Sequence, residues 1–147
     1  MIRSARHTGL VVRDLERSLA FYRDALGLSL TARAAESGPF IEAVVGIPGV
    51  RLEWAKLRTP DGHIIELLQY HSHPEDGVDG DIGRANRLGC SHVAFTVDEI
   101  GRLHSELVRL GFRVNSAPQA SPDGRCRVMY AHDPDGIILE FVEEINR

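Results

Sequence analysis

The sequence predicts an α+β protein built from two β-α-β-β-β modules, with a curved mixed sheet and helices on its outer face. Two repetitions in the chain carry this prediction. A Pro-Asp-Gly turn followed by an apolar stretch with one central glutamate occurs at residues 59–69 and again, 74 residues later, at 133–143. A histidine, an apolar stretch and a helix start occur at residues 7–15 and again, 85 residues later, at 92–100. Repetition at both ends of a unit indicates that the whole unit is duplicated.

The first module provides each of its elements in order. Asp14 is placed to cap a helix whose apolar residues keep helical spacing, and Gly27 ends that helix. A short extra helix ending near Gly46 is predicted before the third strand. The last two strands form a hairpin around the Pro-Asp-Gly turn. The four predicted strands cover residues 5–12, 28–33, 50–58 and 63–70.

The second module repeats this order. Asp98 is placed to cap its helix, and Gly111 is placed to end it. The two shifts differ by 11 residues, and most of this excess is predicted to lie in the extra helix of the first module, at residues 40–49. The strands of the second module are predicted at residues 91–97, from residue 112 onward, at 125–132 and at 137–143.

One domain, residues 1–147, is predicted to contain both modules, because domains most often run about 100–150 residues. The repeats cover about residues 4–70 and 90–144 of this domain. Residues 71–89 between them are dominated by proline, glycine and acidic residues. This composition predicts a linker or surface loop.

Charge and composition exclude several classes of protein. The formal net charge of −4 argues against a nucleic-acid partner, which usually requires a basic patch. No apolar run approaches the roughly 18 residues of a membrane span, and the first seven residues lack the apolar core of a signal peptide. We therefore expect a cytoplasmic protein without a membrane partner. Cys90 and Cys126 lack metal-type spacing and are interpreted as reduced thiols.

Four residues at repeat-equivalent positions are candidate metal ligands: His7, Glu66, His92 and Glu140. Strand alternation places each of them on the face opposite the apolar residues that pack under the helices. A carboxylate among apolar residues is costly to bury unless it has a partner. Two imidazoles and two carboxylates suit one divalent ion, and Zn²⁺, Ni²⁺, Co²⁺, Mn²⁺ and Fe²⁺ all remain open. The sheet is therefore predicted to curve around a central metal cavity.

With these features the chain resembles the vicinal oxygen chelate superfamily. This superfamily includes glyoxalase I, methylmalonyl-CoA epimerase, extradiol dioxygenases, and fosfomycin or bleomycin resistance proteins. The resemblance rests on the paired modules, on Asp-Leu-x-x-Ser-Leu-x-Phe-Tyr-x-x-x-Leu-Gly at residues 14–27, and on Asp-Pro-Asp-Gly before Glu140. It covers essentially the whole chain. It places His7, Glu66, His92 and Glu140 at the family's four ligand positions, in a pattern most similar to that of glyoxalase I.

The resemblance implies a divalent-metal-dependent lyase or isomerase of the glyoxalase I or methylmalonyl-CoA epimerase type. Its substrate would be a small molecule with two vicinal oxygens, and Glu140 or Glu66 would remove a proton next to the chelated carbonyl. Two alternatives remain open: an Fe(II) extradiol-type dioxygenase, and a non-catalytic protein that binds a small molecule or confers antibiotic resistance. The resemblance also implies a homodimer, because paired units in this family often assemble across subunits.

Other polar residues receive a simpler interpretation. Structural or surface roles are expected for five histidines: His63, His71, His73, His104 and His132. Alternation alone does not decide whether the hairpin residues face the pocket or the surface, and these residues are Arg51, Trp54, Lys56, Arg127 and Tyr130.

Overall fold

The structure is a computed structural model that describes residues 3–74, 82–86, 89–90 and 92–145. Contacts within the chain divide it into two units, Met1–Val78 and Asp79–Arg147. The predicted linker at residues 71–89 lies partly outside the described residues. Each unit combines a four-stranded mixed sheet with short helices, which confirms the predicted α+β class.

The first unit contains the predicted strands and both predicted helices. Its strands are β1 (Thr8–Val11), β2 (Ser29–Ser37), β3 (Arg51–Arg58) and β4 (Ile64–Tyr70). Its helices are α1 (Leu15–Leu19) and α2 (Pro39–Val45). The strand order is β1-β4-β3-β2, and β1 is parallel to β4 whereas the other pairs are antiparallel. The hairpin predicted around the Pro-Asp-Gly turn is confirmed as β3 and β4.

Helix α1 begins as predicted but changes its winding. The Asp14 carboxylate accepts a hydrogen bond of 3.0 Å from the backbone N–H of Arg17, which satisfies one free donor of the first turn. After Leu19 the chain continues as a π-helical turn over Ala20–Ala25. Gly27 then adopts a φ of 76°, a left-handed conformation that glycine tolerates without steric cost.

Helix α2 confirms the short extra helix predicted for the first unit. Pro39 occupies its first turn, where a missing N–H costs nothing, and Gly46 ends it with a φ of 72°. Its buried residue Ile41 packs against Val50 and Leu52. Since Leu52 alternates with Ala55 and Leu57, which face α1, helix α2 covers the opposite face of the sheet.

The second unit repeats this topology with a shorter edge strand. Its strands are β5 (His92–Thr96), β6 (Gln119–Ala120), β7 (Cys126–His132) and β8 (Ile138–Glu144), and its helix is α3 (Ile100–Arg109). The order is β5-β8-β7-β6, with β5 parallel to β8. Residues 110–125 are all described and contain no helix, so the extra residues of the first unit do form α2.

Two local predictions for the second unit are wrong. The residue that caps α3 is Glu99, with a φ of 52° and no side-chain cap bond, rather than Asp98. The strand expected from residue 112 is reduced to a single bridge between Val114 and Ala131. Pro118 follows closely, and a proline cannot donate to a strand ladder, so regular pairing resumes only at β6.

A side chain from the last strand of each unit holds the start of that unit's helix. The backbone N–H of Leu15 donates to Gln69 Oε1 at 2.7 Å, and that of Ile100 donates to Glu143 Oε1 at 3.3 Å. Arg127 on β7 donates from Nε to Glu143 Oε2 at 2.8 Å. Arg127 therefore lies on the helix side of its sheet. The pair with Arg127 also lowers the pKa of the Glu143 carboxyl.

The apolar residues alternate as predicted. On β1 and β4 the buried positions Leu10, Ile65 and Leu67 face α1, and on β8 the buried positions Leu139 and Phe141 do the same for α3. Glutamates occupy the positions between them on β4 and β8. Within the described residues, none of the helices is both long and apolar enough to span a bilayer.

Candidate metal centre

His7 and Glu66 form a close pair in the first unit. The register of β1 and β4 places Gly9 opposite Glu66, so His7, two residues earlier, lies on the same face as that carboxylate. The His7 Nε2 atom is 2.8 Å from Glu66 Oε2. The Glu66 side chain is 12% exposed, between the buried residues Ile65 and Leu67. The carboxylate predicted to need a partner therefore has an imidazole beside it.

His92 and Glu140 form the corresponding pair in the second unit. The register of β5 and β8 places Ala94 opposite Glu140, as Gly9 lies opposite Glu66 in the first unit. The His92 Nε2 atom is 3.2 Å from Glu140 Oε2, and the Glu140 side chain is 23% exposed. The His92 ring also lies 5.3 Å from the ring of Tyr130.

The donor atoms of each pair fit two neighbouring positions around a metal ion. Metal–nitrogen and metal–oxygen bonds of about 2.0–2.2 Å leave adjacent ligand atoms roughly 3 Å apart. The two observed separations, 2.8 Å and 3.2 Å, match this spacing. Among the described residues, neither pair is joined within its own unit by a third His, Cys, Asp or Glu side chain. Each unit thus holds one His–Glu pair.

The two carboxylates differ in the residue directly opposite on the neighbouring strand. Lys56 on β3 is opposite Glu66, with its Nζ atom 3.6 Å from Glu66 Oε1. Tyr130 on β7 is opposite Glu140. Burial, and then the negative charge of Glu140, raise the pKa of the Tyr130 phenol, which keeps this group neutral. Lys56 and Tyr130, whose orientation the sequence did not decide, therefore both lie on the carboxylate face.

Trp54 supports Lys56 on that face. The Lys56 Nζ atom lies 4.5 Å from the centre of the Trp54 ring, within the range of a cation–π contact. The indole Nε1 donates to Glu36 Oε1 at 2.8 Å, which fixes the ring. Arg51, in contrast, lies at the exposed first position of β3. Sequence reasoning treated all three hairpin residues alike, and only strand register separates them.

His132 has a structural role, as expected. It is 1% exposed, its Nε2 atom is 2.8 Å from Asn115 Oδ1, and its Nδ1 atom is 3.2 Å from the carbonyl oxygen of Gly136. This imidazole joins the final turn to the segment after α3. A buried histidine with partners at both nitrogens is poorly placed to bind a metal.

His63 and His71 have hydrogen-bond partners outside the two His–Glu pairs. His63 Nε2 is 3.0 Å from Thr8 Oγ1 at the beginning of β1, and His71 Nε2 is 3.3 Å from Glu53 Oε2. His104 lies on α3. The carboxyl of Glu53 has a lowered pKa, first because Arg33 bonds to it and then through His71.

Comparison with known proteins identifies the family of this chain. A model of the Glyoxalase/Bleomycin resistance protein/Dioxygenase superfamily matches residues 4–141. The chain belongs to this superfamily. The resemblance to vicinal oxygen chelate proteins is therefore confirmed over nearly the whole chain, and the duplicated modules are the modules of a glyoxalase-superfamily fold.

Relatives of this glyoxalase-superfamily chain include proteins named as lyases. The probable lactoylglutathione lyase of Synechocystis sp. is 29% identical over 138 residues, which cover 93% of this chain and 92% of that protein. The lactoylglutathione lyase of Neisseria meningitidis serogroup A is 30% identical over 139 residues, which cover 94% and 88%. A crystal structure of a glyoxalase family protein from Bacillus cereus superposes with a TM-score of 0.89 at 28% identity, covering 99% of this chain and 97% of that chain.

Proposed function

We propose that the protein is a divalent-metal-dependent lyase or isomerase of the glyoxalase I or methylmalonyl-CoA epimerase type. In this proposal His7, Glu66, His92 and Glu140 bind one ion, so that residues 1–147 act as a single domain. The observation that carries it is the duplicated His–Glu pair, with donor atoms 2.8 Å and 3.2 Å apart. The relatives named as lactoylglutathione lyases support the lyase class.

The chemistry requires a carboxylate that can accept a proton from carbon. A bound ion would polarise a substrate carbonyl and make the hydrogen on the adjacent carbon more acidic. We assign the proton transfer to Glu140, because its neighbour Tyr130 is neutral, whereas the positively charged Lys56 lies beside Glu66. The imidazoles of His7 and His92 would bind the ion through their Nε2 atoms.

Metal analysis tests the ligand assignment. We expect the purified chain, reconstituted with Zn²⁺, Ni²⁺, Co²⁺, Mn²⁺ or Fe²⁺ and then dialysed, to retain about one ion, and His7→Ala or His92→Ala to lose it. His104→Ala on α3 is the matched control and should keep the ion. Absence of bound metal in the wild type after reconstitution would overturn the proposal.

Exchange of substrate hydrogen with solvent tests the reaction. We expect one member of a panel of hemithioacetals, acyl-CoA epimers and small 2-hydroxycarboxylates to be converted, with deuterium from D₂O entering the carbon beside the carbonyl. Glu140→Gln should lower kcat at least a hundredfold while the protein still folds, because general-base catalysis contributes about 10²–10⁴-fold. Glu144→Gln, at the end of the same strand, should leave kcat unchanged.

The two alternatives give different results in the same preparation. Oxygen uptake with Fe²⁺ and a catechol would identify a dioxygenase. Thermal stabilisation by a drug-like ligand that is recovered unchanged would identify a binding or resistance protein. The expected homodimer stays a prediction, which sedimentation equilibrium of the intact chain checks directly.

A further inference from the structure

Lys56 is the only lysine in the chain, where the other 16 of the 17 basic residues are arginines. It lies directly opposite Glu66 on the neighbouring strand, on the face that carries the candidate metal ligand. A lysine at this position can differ from an arginine in how it contacts Glu66 and a bound molecule.

The contact between Lys56 and Glu66 leaves the ammonium with capacity for another partner. Its Nζ atom is 3.6 Å from Glu66 Oε1, whereas a charged N–H to carboxylate bond is usually about 2.7–2.9 Å. Glu66 instead has its short contact, 2.8 Å, with His7 through the other oxygen. The Lys56 side chain is also 32% exposed, so a ligand on this face can reach it.

Lys56 is nevertheless held in place. Its ammonium lies 4.5 Å from the centre of the Trp54 ring, and that ring is fixed by the 2.8 Å hydrogen bond from Nε1 to Glu36 Oε1. A cation that is pre-positioned loses little side-chain entropy when it binds an anion. The arrangement therefore suits recognition rather than a solvated surface charge.

The difference between lysine and arginine has a physical reason here. An arginine fork binds both oxygens of a carboxylate and would compete for Glu66 as a metal ligand. An ammonium is a point charge that neutralises Glu66 partially and can turn its remaining donors toward a substrate oxygen.

We propose that Lys56 binds an anionic oxygen of the substrate, which deepens the proposed function and rests on it. A dication held by two carboxylates is neutral, so Lys56 gives the site a net charge of about +1. Such a site is complementary to a monoanion. The substrate class is a small carboxylate whose adjacent carbon carries a second oxygen, as a carbonyl or a hydroxyl.

Calorimetric titration of the Zn²⁺-loaded protein tests this proposal. Pyruvate, lactate and glycolate are the anionic probes, and methyl pyruvate is the uncharged one. We expect at least one of the anions to bind the wild type, and Lys56→Met to weaken it about tenfold or more, since a bond to a charged group typically contributes that much. Methyl pyruvate should bind both proteins with equal affinity. Arg58→Met, which removes another cation from β3, should not change the affinity for the anions.

Lysine NMR gives a second measurement that does not depend on turnover. Reductive ¹³C-methylation labels Lys56 and the amino terminus alone. The Lys56 methyl signal should shift when the binding anion is added to the Zn²⁺-loaded protein and should not shift with methyl pyruvate. Lys56→Arg should lower the affinity for Zn²⁺, because its fork engages Glu66.

The results separate the two proposals. If the wild type does not bind Zn²⁺, the proposed function fails. If the wild type binds Zn²⁺ but binds no anionic probe more tightly than the Lys56→Met variant does, the assignment of Lys56 and of an anionic substrate is wrong. The proposed metal centre is not affected by that result.

Discussion

Glu66 and Glu140 occupy matching positions in two copies of one module, yet the residues opposite them differ in charge. Lys56 lies opposite the first and Tyr130 opposite the second. The ammonium of Lys56 adds a positive charge beside Glu66. The neutral phenol of Tyr130 adds no charge beside Glu140. Divergence at a single cross-strand position thus separates the two proposed roles.

The contacts of Tyr130 predict how its phenol titrates. Its phenol should ionise at a pH above the ordinary value of about 10 in metal-free protein, because burial and the charge of Glu140 raise its pKa. The difference in absorbance at 295 nm between the wild type and Tyr130→Phe isolates this group from Tyr22 and Tyr70. Glu140→Gln should lower the midpoint, since it removes the negative charge.

The sign of the accompanying stability effect follows from the same shift. A phenol whose pKa is raised in the folded state favours folding while it stays protonated, below the pKa of the unfolded chain. That contribution is lost as the pH rises through the folded-state pKa. A midpoint for Tyr130 equal to that of an exposed tyrosine would contradict the partial burial of this residue beside Glu140.

At the scale of elements, each unit ties its helix to its sheet in the same way. Gln69 accepts from the first N–H of α1, and Glu143 accepts from the first N–H of α3. The first helix also has its cap at Asp14, whereas Glu99 provides no side-chain cap for the second. The strand residue therefore carries more of the capping in the second unit.

Replacement of Gln69 tests this connection. Gln69→Ala should lower the free energy of unfolding by about 1 kcal/mol, because the N–H of Leu15 loses its acceptor at a part-buried position. Urea denaturation measures the change. Gln69→Glu keeps an acceptor oxygen and adds a negative charge at a helix N-terminus, so it should be as stable as the wild type. Equal loss in both variants would contradict the capping role.

At the scale of the whole molecule, each of the two units contains one of the two candidate His–Glu pairs. Neither pair alone is the three- or four-ligand set that usually binds a divalent ion tightly in a protein. In the proposed function the two pairs therefore share one ion. The proposal can be tested by measuring whether His7 and His92 are coupled in Zn²⁺ binding.

A double-mutant cycle on the histidines measures that coupling. Zn²⁺ at about 100 times its dissociation constant should stabilise the wild type by roughly 2.7 kcal/mol. His7→Ala alone and His92→Ala alone should each abolish most of this stabilisation, and the double variant should lose no more. Thermal unfolding with and without Zn²⁺ provides the values. Losses that simply add would show that each unit binds its own ion.

The sequence by itself determined the class, the order of elements and the four candidate ligands. Alternation with a period of two identified the buried faces of β1, β4 and β8, and it set Glu66 and Glu140 apart from them. The repeat then matched each glutamate with a histidine. These properties are local or repeated along the chain, so they can be predicted without knowledge of contacts between distant residues.

Only the tertiary structure decided what lies beside each candidate ligand. Lys56 and Tyr130 each precede their glutamate by ten residues, and the register of a hairpin places them opposite it. The loss of the strand after α3 and the capping by Gln69 and Glu143 also depend on contacts between separate elements. Composition and periodicity do not specify register, because a shift of one residue reverses every side chain while leaving the local pattern unchanged.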